Sequence, residues 1–221
     1  MAEAKHIILV GAGGCMRELA WQIQERNRVD MIWQIDGYVD VKKPETDEQC
    51  IVGKEVIPYL GNDDYLLRKQ EPVNVAICVG NPTLRKKIAE RLKKNVNIQF
   101  PNLILGDTRI CDDVKMGEGC IISMDCKVST NVRFGNFVFL NIGSQVCHDG
   151  QLGDFVTLSP DVKLAGNVQV GCTCDIGLGV KVIQGITIGK GAVIGAGGVV
   201  VRDIEAGCTA VGVPARSMIK V

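Results

Sequence analysis

The chain has 221 residues, more than one average domain and fewer than two. Its 25 Lys and Arg cancel its 25 Asp and Glu, which argues against a nucleic-acid or anionic-membrane binder, whose affinity needs excess basic charge. Apolar residues make up 46%, too many for a disordered chain, yet the longest uncharged apolar stretch, residues 192–201, is half the length of a membrane span and holds three glycines. The N-terminal M-A-E-A-K-H leads into a strand-like run without a signal-peptide layout, so a soluble, cytoplasmic protein is expected. The ten cysteines include no C-x-x-C pair, only the C-x-C of Cys172 and Cys174, and read as reduced structural thiols.

The first part alternates strand and helix. Residues 6–10 (H-I-I-L-V) form a short apolar strand that ends in Gly11-Ala12-Gly13-Gly14. A helix follows over 17–26, with Leu19, Ala20 and Ile23 on one face. Residues 32–39 predict a second strand and 73–79 a buried third. Pro82 suits the first turn of a helix running to residue 94, and 96–100 make the last strand. Apolar strands alternating with helices imply a parallel sheet covered by helices, an α/β Rossmann-like domain.

Near Pro101 the pattern changes. Of the 26 glycines, 7 lie before residue 102 and 19 after it. From Ile104 to Val200, every sixth residue is large and apolar, seventeen in a row with no insertion. Two residues before each comes a second series, among them Val114, Cys120, Cys126, Val132 and Cys174. The residue after each is usually small and is expected to let the corner turn. This is a hexapeptide β-helix repeat in which three hexapeptides build one triangular coil of 18 residues, stacked on the next at about 4.8 Å. Cys120, Cys126 and Cys174 then fill narrow inward slots as small hydrophobes. The domains are placed at 1–101 and 102–221.

His6 and His148 are the only histidines. His6 reads as a strand-edge residue. His148 lies at a corner, two residues after the inward Val146, beside Asp149. Neighbouring corners are built from Gly, Ser, Asn or Ala, so packing does not demand an imidazole there. It suits a general base, with a solvated turn residue as the plain alternative. Eighteen residues on stands Gly166, whose backbone N–H is a candidate oxyanion donor, glycine being also a common corner residue. The 11–14 loop has a phosphate-cradling layout, but Met16 replaces the third glycine of a dinucleotide fingerprint. With Asp36 and Asp40 following, it suits a nucleotide's ribose or base better than NAD.

The motifs V-G-A-G-G-x-x-R-E-L-A (10–20), G-Y-V-D (37–40) and V-G-N-P-x-L-R-K-K-I (79–88), with N-I-G-S-Q-V-C-H-D (141–149), L-A-G-N-V-Q-V-G (164–171) and V-G-V-P-A-R (211–216), resemble one family over nearly the whole chain. It is that of the sialic acid O-acetyltransferases and UDP-4-amino-sugar N-acetyltransferases. The resemblance implies a left-handed β-helix, a homotrimer, and acetyl-CoA bound between subunits as co-substrate with no metal. The acceptor would be an amine or hydroxyl of a sugar or nucleotide-sugar. It implies His148 as catalytic base, Asp149 as its acidic neighbour and Gly166 as oxyanion donor. Gly13, Gly14, Cys15 and Asp40 would contact the nucleotide and Asn141 the acceptor, while Gly166, Gly179 and Pro214 would border coenzyme A. Thr157 stands where some members carry a second histidine. A non-catalytic trimeric nucleotide-sugar scaffold or sensor is the alternative. A hexapeptide carbonic anhydrase would need several metal-binding histidines, and an NAD oxidoreductase rests on the glycine loop alone.

Overall fold

The chain divides into two units in the computed structural model, which describes residues 4–41 and 50–218. Met1 to Glu3, the start of the stretch read for an export signal, lie outside the described residues. One unit is Met1–Val79 with Lys87–Pro101; the other is Asn102–Val221 with Gly80–Lys86, a segment that the sequence reading puts in the first domain.

The first unit contains strands β1 (Lys5–Val10), β2 (Trp33–Val39), β3 (Cys50–Val52), β4 (Glu55–Ile57), β5 (Tyr59–Gly61), β6 (Val73–Ile77) and β7 (Ile98–Gln99). Its helices are α1 (Gly14–Asn27), α2 (Asp63–Leu67) and the later part of α3 (Pro82–Leu92). Five strands form a parallel sheet in the order β5-β2-β1-β6-β7, and β3 and β4 make a separate antiparallel pair. Central β1 buries Ile7, Ile8, Leu9 and Val10. Helix α1 turns Met16, Leu19, Ala20 and Ile23 inward, the spacing of one helical face. Met16 therefore occupies core space where a dinucleotide fingerprint uses a glycine to bring helix and sheet close. Helix α3 starts where expected because the Asn81 side chain accepts from Leu84 N–H at 2.8 Å.

The second unit is a parallel β-solenoid. Its two- and three-residue strands stack into three sheets with an 18-residue step, as in Val128 beside Val146 and Val146 beside Leu164. The first of these sheets closes with a 16-residue step from Val193 to Thr209 and an antiparallel strand at Arg216–Ser217. The faces start at Leu103–Ile104, Arg109–Ile110 and Lys115–Met116 and are the first, second and third faces below. From Ile122 onward the hexapeptide apolar residues fill the prism together with the second series, Cys120, Cys126 and Cys174 being fully buried. Ile104, the first of the seventeen, is 43% exposed, and Ile110 and Met116 are partly buried. Burial pushes these thiols up, to about 11, about 12 and about 11. None of the ten cysteines, all among the described residues, is in a disulfide.

The corner chemistry differs from expectation in one respect. The chain reverses not at the residue after the inward aliphatic but three after it, where φ is positive in Asn131, Asp149 and Asn167 and in glycines such as Gly179. The residue directly after is still extended and donates to the next coil, as Ala165 N–H does to Val182 O. It must be small after the third face, for a separate reason. A Cβ on Gly135 would lie 2.7 Å from Asp154 N and one on Gly171 2.5 Å from Lys190 N. At the other corners the same step admits Cys147 and Ile183.

Segment Gly80–Lys86 is fastened to the first face by Arg85, which is 1% exposed. Its guanidinium donates to the carbonyls of Gly80, Phe137, Phe155 and Val156 and to Thr157 Oγ1, and the Thr157 hydroxyl donates to Gly80 O at 2.6 Å. Phe137 and Phe155, one coil apart, stack with ring centroids 5.1 Å apart. No helix among the described residues is long and apolar enough to cross a membrane.

Candidate active site

His148 stands at the corner between the second and third faces, after Gln145–Val146 and before Gln151–Leu152. Two features of the coil set its ring. Asp149 takes the left-handed conformation, φ 61°, which brings its carboxylate back beside the preceding side chain. Asp149 Oδ2 lies 2.8 Å from His148 Nδ1, while Oδ1 accepts from Asn131 Nδ2 at 2.7 Å. The hydrogen bonds from His148 and then Asn131 hold the Asp149 carboxyl below the usual carboxylate range. An ionised carboxylate accepts only, so Nδ1 carries a proton, and in the neutral form of the ring Nε2 presents a lone pair.

Gly166 is the second feature. An added Cβ there would lie 2.4 Å from His148 Cε1 and 2.5 Å from Nε2, so the imidazole occupies the space that a side chain would take. The flanking amides of Ala165 and Asn167 donate to Val182 O and His148 O, whereas the Gly166 amide has no acceptor among the described residues. Outward amides are free at other corners too; at Gly166 a histidine nitrogen lies against the same residue. A histidine nitrogen and an amide without an acceptor among the described residues thus belong to adjacent coils of one corner, groups whose chemistry suits proton removal and oxyanion stabilisation. This corner separates two shallow grooves. One, of about 500 Å³, runs over the third face between Arg133 and Lys190, and another, of about 330 Å³, lies on the second face beside Arg109 and Lys127.

Not every expected residue joins this corner. Asn141 and Gly179 lie on the preceding corner, between the first and second faces, one side of the triangle away. The Asn141 side chain turns onto its own backbone, accepting from Ile142 N–H at 2.7 Å. Pro214 is exposed in the C-terminal turn. Thr157 belongs to the first face, where Arg85 and Gly80 use its hydroxyl. Asn131, which sequence reasoning missed, was findable in principle: it sits 18 residues before Asp149, at the same corner position of the preceding coil.

In the first unit, Val10 and Val39 are partners in neighbouring parallel strands, so Gly11 and Asp40 emerge side by side at the carboxyl edge of the sheet. Gly11 N–H donates to Val39 O, and Gly11 needs its φ of 116° to turn away beneath Cys78 O. Gly13 is the N-cap of α1 and makes no side-chain cap, and the first turn of the helix has no acid. No heavy atom lies within 4 Å of a Cβ placed on Gly13. A helix start on the carboxyl edge of a parallel sheet is an arrangement suited to holding an anion. Gly13, Gly14 and Cys15 begin the helix there, with Asp40 on the adjacent strand end.

Residues 6–92 match the family model described as the PglD N-terminal domain. The structure of PerB from Caulobacter crescentus in complex with CoA and GDP-perosamine is 30% identical, covers 97% of both chains and superposes with a TM-score of 0.82. The chain belongs to the hexapeptide-repeat acetyltransferase family. Within it, the acetyltransferase domain of PglB from Neisseria gonorrhoeae, in complex with acetyl coenzyme A, is 27% identical over 98% of this chain and 100% of that one, with a TM-score of 0.85. A histidine-to-alanine variant of GDP-perosamine N-acetyltransferase from Caulobacter crescentus, holding CoA and GDP-perosamine, is 29% identical over 97% of both chains, with a TM-score of 0.83. A search of curated sequences finds no match.

Proposed function

We propose that the protein transfers the acetyl group of acetyl-CoA to the amine of a sugar carried on a nucleoside diphosphate, with His148 as general base. The observation that carries this reading is the His148–Asp149 pair lying against Gly166. His148 Nε2 takes a proton from the acceptor amine as its nitrogen attacks the thioester carbonyl. The Gly166 N–H donates to the oxygen that becomes negative. The C–S bond then breaks, and the proton held on Nε2 passes to the departing thiolate. Asp149 holds the ring and favours its transient positive charge. No acyl-enzyme is required, so Cys147 has no covalent role.

The anion seat at Gly13 and Gly14 would hold the diphosphate, with Cys15 and Asp40 beside it, and this remote binding would position the reacting sugar. On the second face, Arg109, Lys127, Lys163 and Lys181 stand in register and suit the phosphates of coenzyme A between the His148 and Gly179 corners. Asn141, Gly179 and Pro214 lie away from His148 within one chain, which favours their reaching the reaction from a neighbouring copy. The corner bearing Leu178, 54% exposed, and the nearby Ile183, 45% exposed, offer apolar surface for that neighbour. A homotrimer working in the cytoplasm, where both substrates are made, fits these features.

The test incubates the protein with acetyl-CoA and with GDP- or UDP-linked amino sugars, following thiol release and the mass of the product. Hydroxylamine distinguishes the expected amide from an ester. His148→Asn should lower kcat by about 10²–10⁴ with little change in acetyl-CoA KM. Unchanged turnover in that variant removes His148 from the chemistry. Nucleotide-sugar binding with no thiol release under any acceptor supports the sensor reading instead.

A further inference from the structure

The proposed base and its acidic neighbour are both solvent-exposed, with side-chain exposures of 61% and 48%. In water, an exposed contact of this kind does not by itself hold two side chains in one geometry. Something must fix the Asp149 carboxylate if it is to fix the ring. Within the same column of corners, one coil earlier, Asn131 has the same left-handed backbone, φ 54°, and its amide donates to Asp149 Oδ1 at 2.7 Å. Asn131 is held in turn. Its backbone N–H donates to Asp113 Oδ2 at 2.9 Å, and the same oxygen accepts from Thr130 Oγ1 at 2.5 Å. Asp113, Asn131 and Asp149 therefore make a ladder in steps of 18 residues, with the imidazole at its end.

We infer that Asn131 is a positioning residue that sets the tautomer of His148, by pinning one oxygen of Asp149 so that the other faces Nδ1. The logic is geometric. With Oδ1 occupied by the Asn131 amide, rotation of the carboxylate away from the ring breaks a charge-assisted bond. Oδ2 then stays against Nδ1, the proton stays on Nδ1, and Nε2 remains the open lone pair above Gly166. Free imidazole in water prefers the opposite tautomer, with the proton on Nε2, which would make His148 a donor where an acceptor is needed. Asn also suits the site because it tolerates positive φ while carrying a donor, which Asp does not supply when ionised.

The inference rests on His148 being the base, yet its central test reads the ring directly. The chain has only two histidines, so long-range ¹H–¹⁵N spectra of the full protein, assigned with a His6→Asn variant, resolve the His148 nitrogens. At a pH where the ring is neutral, the wild type should show the Nδ1–H form. Asn131→Gly, which keeps the left-handed backbone and removes the amide, should shift His148 toward Nε2–H. The same variant should lower kcat about tenfold, with acetyl-CoA KM unchanged. Asn167→Gly is the control. It is the same substitution one coil later, at φ 56°, on a side chain that meets Gln169 rather than Asp149. It should leave both tautomer and kcat as they are. Should Asn131→Gly not fold, Asn131→Asp retains the shape and replaces the donor with an acceptor, and the same tautomer shift is expected. Retention of Nδ1–H in the folded variant overturns the inference. If instead the tautomer shifts while His148→Asn proves fully active, Asn131 positions the ring as inferred and the general-base reading is what fails.

Discussion

Substituting Gly166 with alanine separates the chemistry from the fold. The new Cβ would stand 2.4 Å from His148 Cε1, 2.5 Å from Nε2 and 3.0 Å from Nδ1. Carbon contacts relax only at about 3.5 Å, so the ring has to retreat by about 1 Å. A displacement of that size at a reacting group costs about 10²-fold in rate, and kcat should fall by about that factor. The backbone has no objection. Gly166 lies outside the left-handed region, and the same corner position in other coils carries Asp112, Thr130, Gln184 and Arg202. At such a compatible site, Gly→Ala adds about 0.4–1 kcal/mol of stability, so the melting temperature should hold or rise slightly.

Alanine also retains the N–H, so the loss cannot be assigned to a missing oxyanion donor. The assay is steady-state thiol release with acetyl-CoA and an amino-sugar nucleotide, run beside thermal melts and the double variant. If alanine acts only by moving the ring, adding it to His148→Ala should cost nothing further, a fully non-additive pair. Wild-type kcat in Gly166→Ala refutes the reasoning. So does a double variant slower than His148→Ala by the whole single-variant factor, which would mean that Gly166 acts apart from the histidine.

Gly13→Asp should have opposite effects on fold and substrate. The Gly13 backbone, φ −81° and ψ −174°, accepts an N-cap aspartate, which should stabilise α1 by a few tenths of a kcal/mol. A carboxylate facing a diphosphate should nevertheless raise the nucleotide-sugar KM by about tenfold or more, leaving acetyl-CoA KM unchanged; equal KM values rule out the anion seat. A third expectation concerns acid. Hydrogen bonds from the Thr130 hydroxyl and the Asn131 backbone N–H hold Asp113 below its ordinary value, those from His148 and the Asn131 side chain do so for Asp149, and Lys163 does so for Asp161. Because these folded-state values are depressed, the stabilisation is present above the unfolded carboxylate value of about 3.9 and is lost as pH falls through the folded values. The melting temperature should drop through that acid window, and Asp113→Asn should flatten the drop; identical acid profiles would show that the Asp113 contacts contribute nothing.

Much of the fold was legible because the solenoid writes its geometry into the sequence as a period. Seventeen large apolar residues in step locate the coils and their stacking before any coordinate is known. Strands β1 and β2 and helices α1 and α3 were legible from apolar runs, a glycine loop and Pro82. Strands β3 to β5 and helix α2 were not: they are three to five residues long, too short for a period to register. The fastening of Gly80–Lys86 to the solenoid was invisible for another reason. Arg85 reads as one more charged residue on a helix, and only the fold shows that it is 1% exposed and bonded to carbonyls from two coils.

The His148 corner is a further case of what a period does and does not carry. Stepping by 18 from His148 locates Gly166, and the same step from Asp149 locates Asn131 and Asn167. The step says which residues stack but not which way their side chains lean. That direction comes from the positive φ at Asp149, which returns its carboxylate toward the ring before it. Asp149 is therefore both the residue that turns the corner and the residue that orients the imidazole. A glycine there would make the turn equally well and leave His148 without a partner, as the glycine turns at Gly143 and Gly179 have no acid to offer. The L-residues kept at positive φ in this column, Asn131, Asp149 and Asn167, are where the solenoid accepts a less favourable backbone. Two of the three bond directly in the chain of contacts that ends at His148.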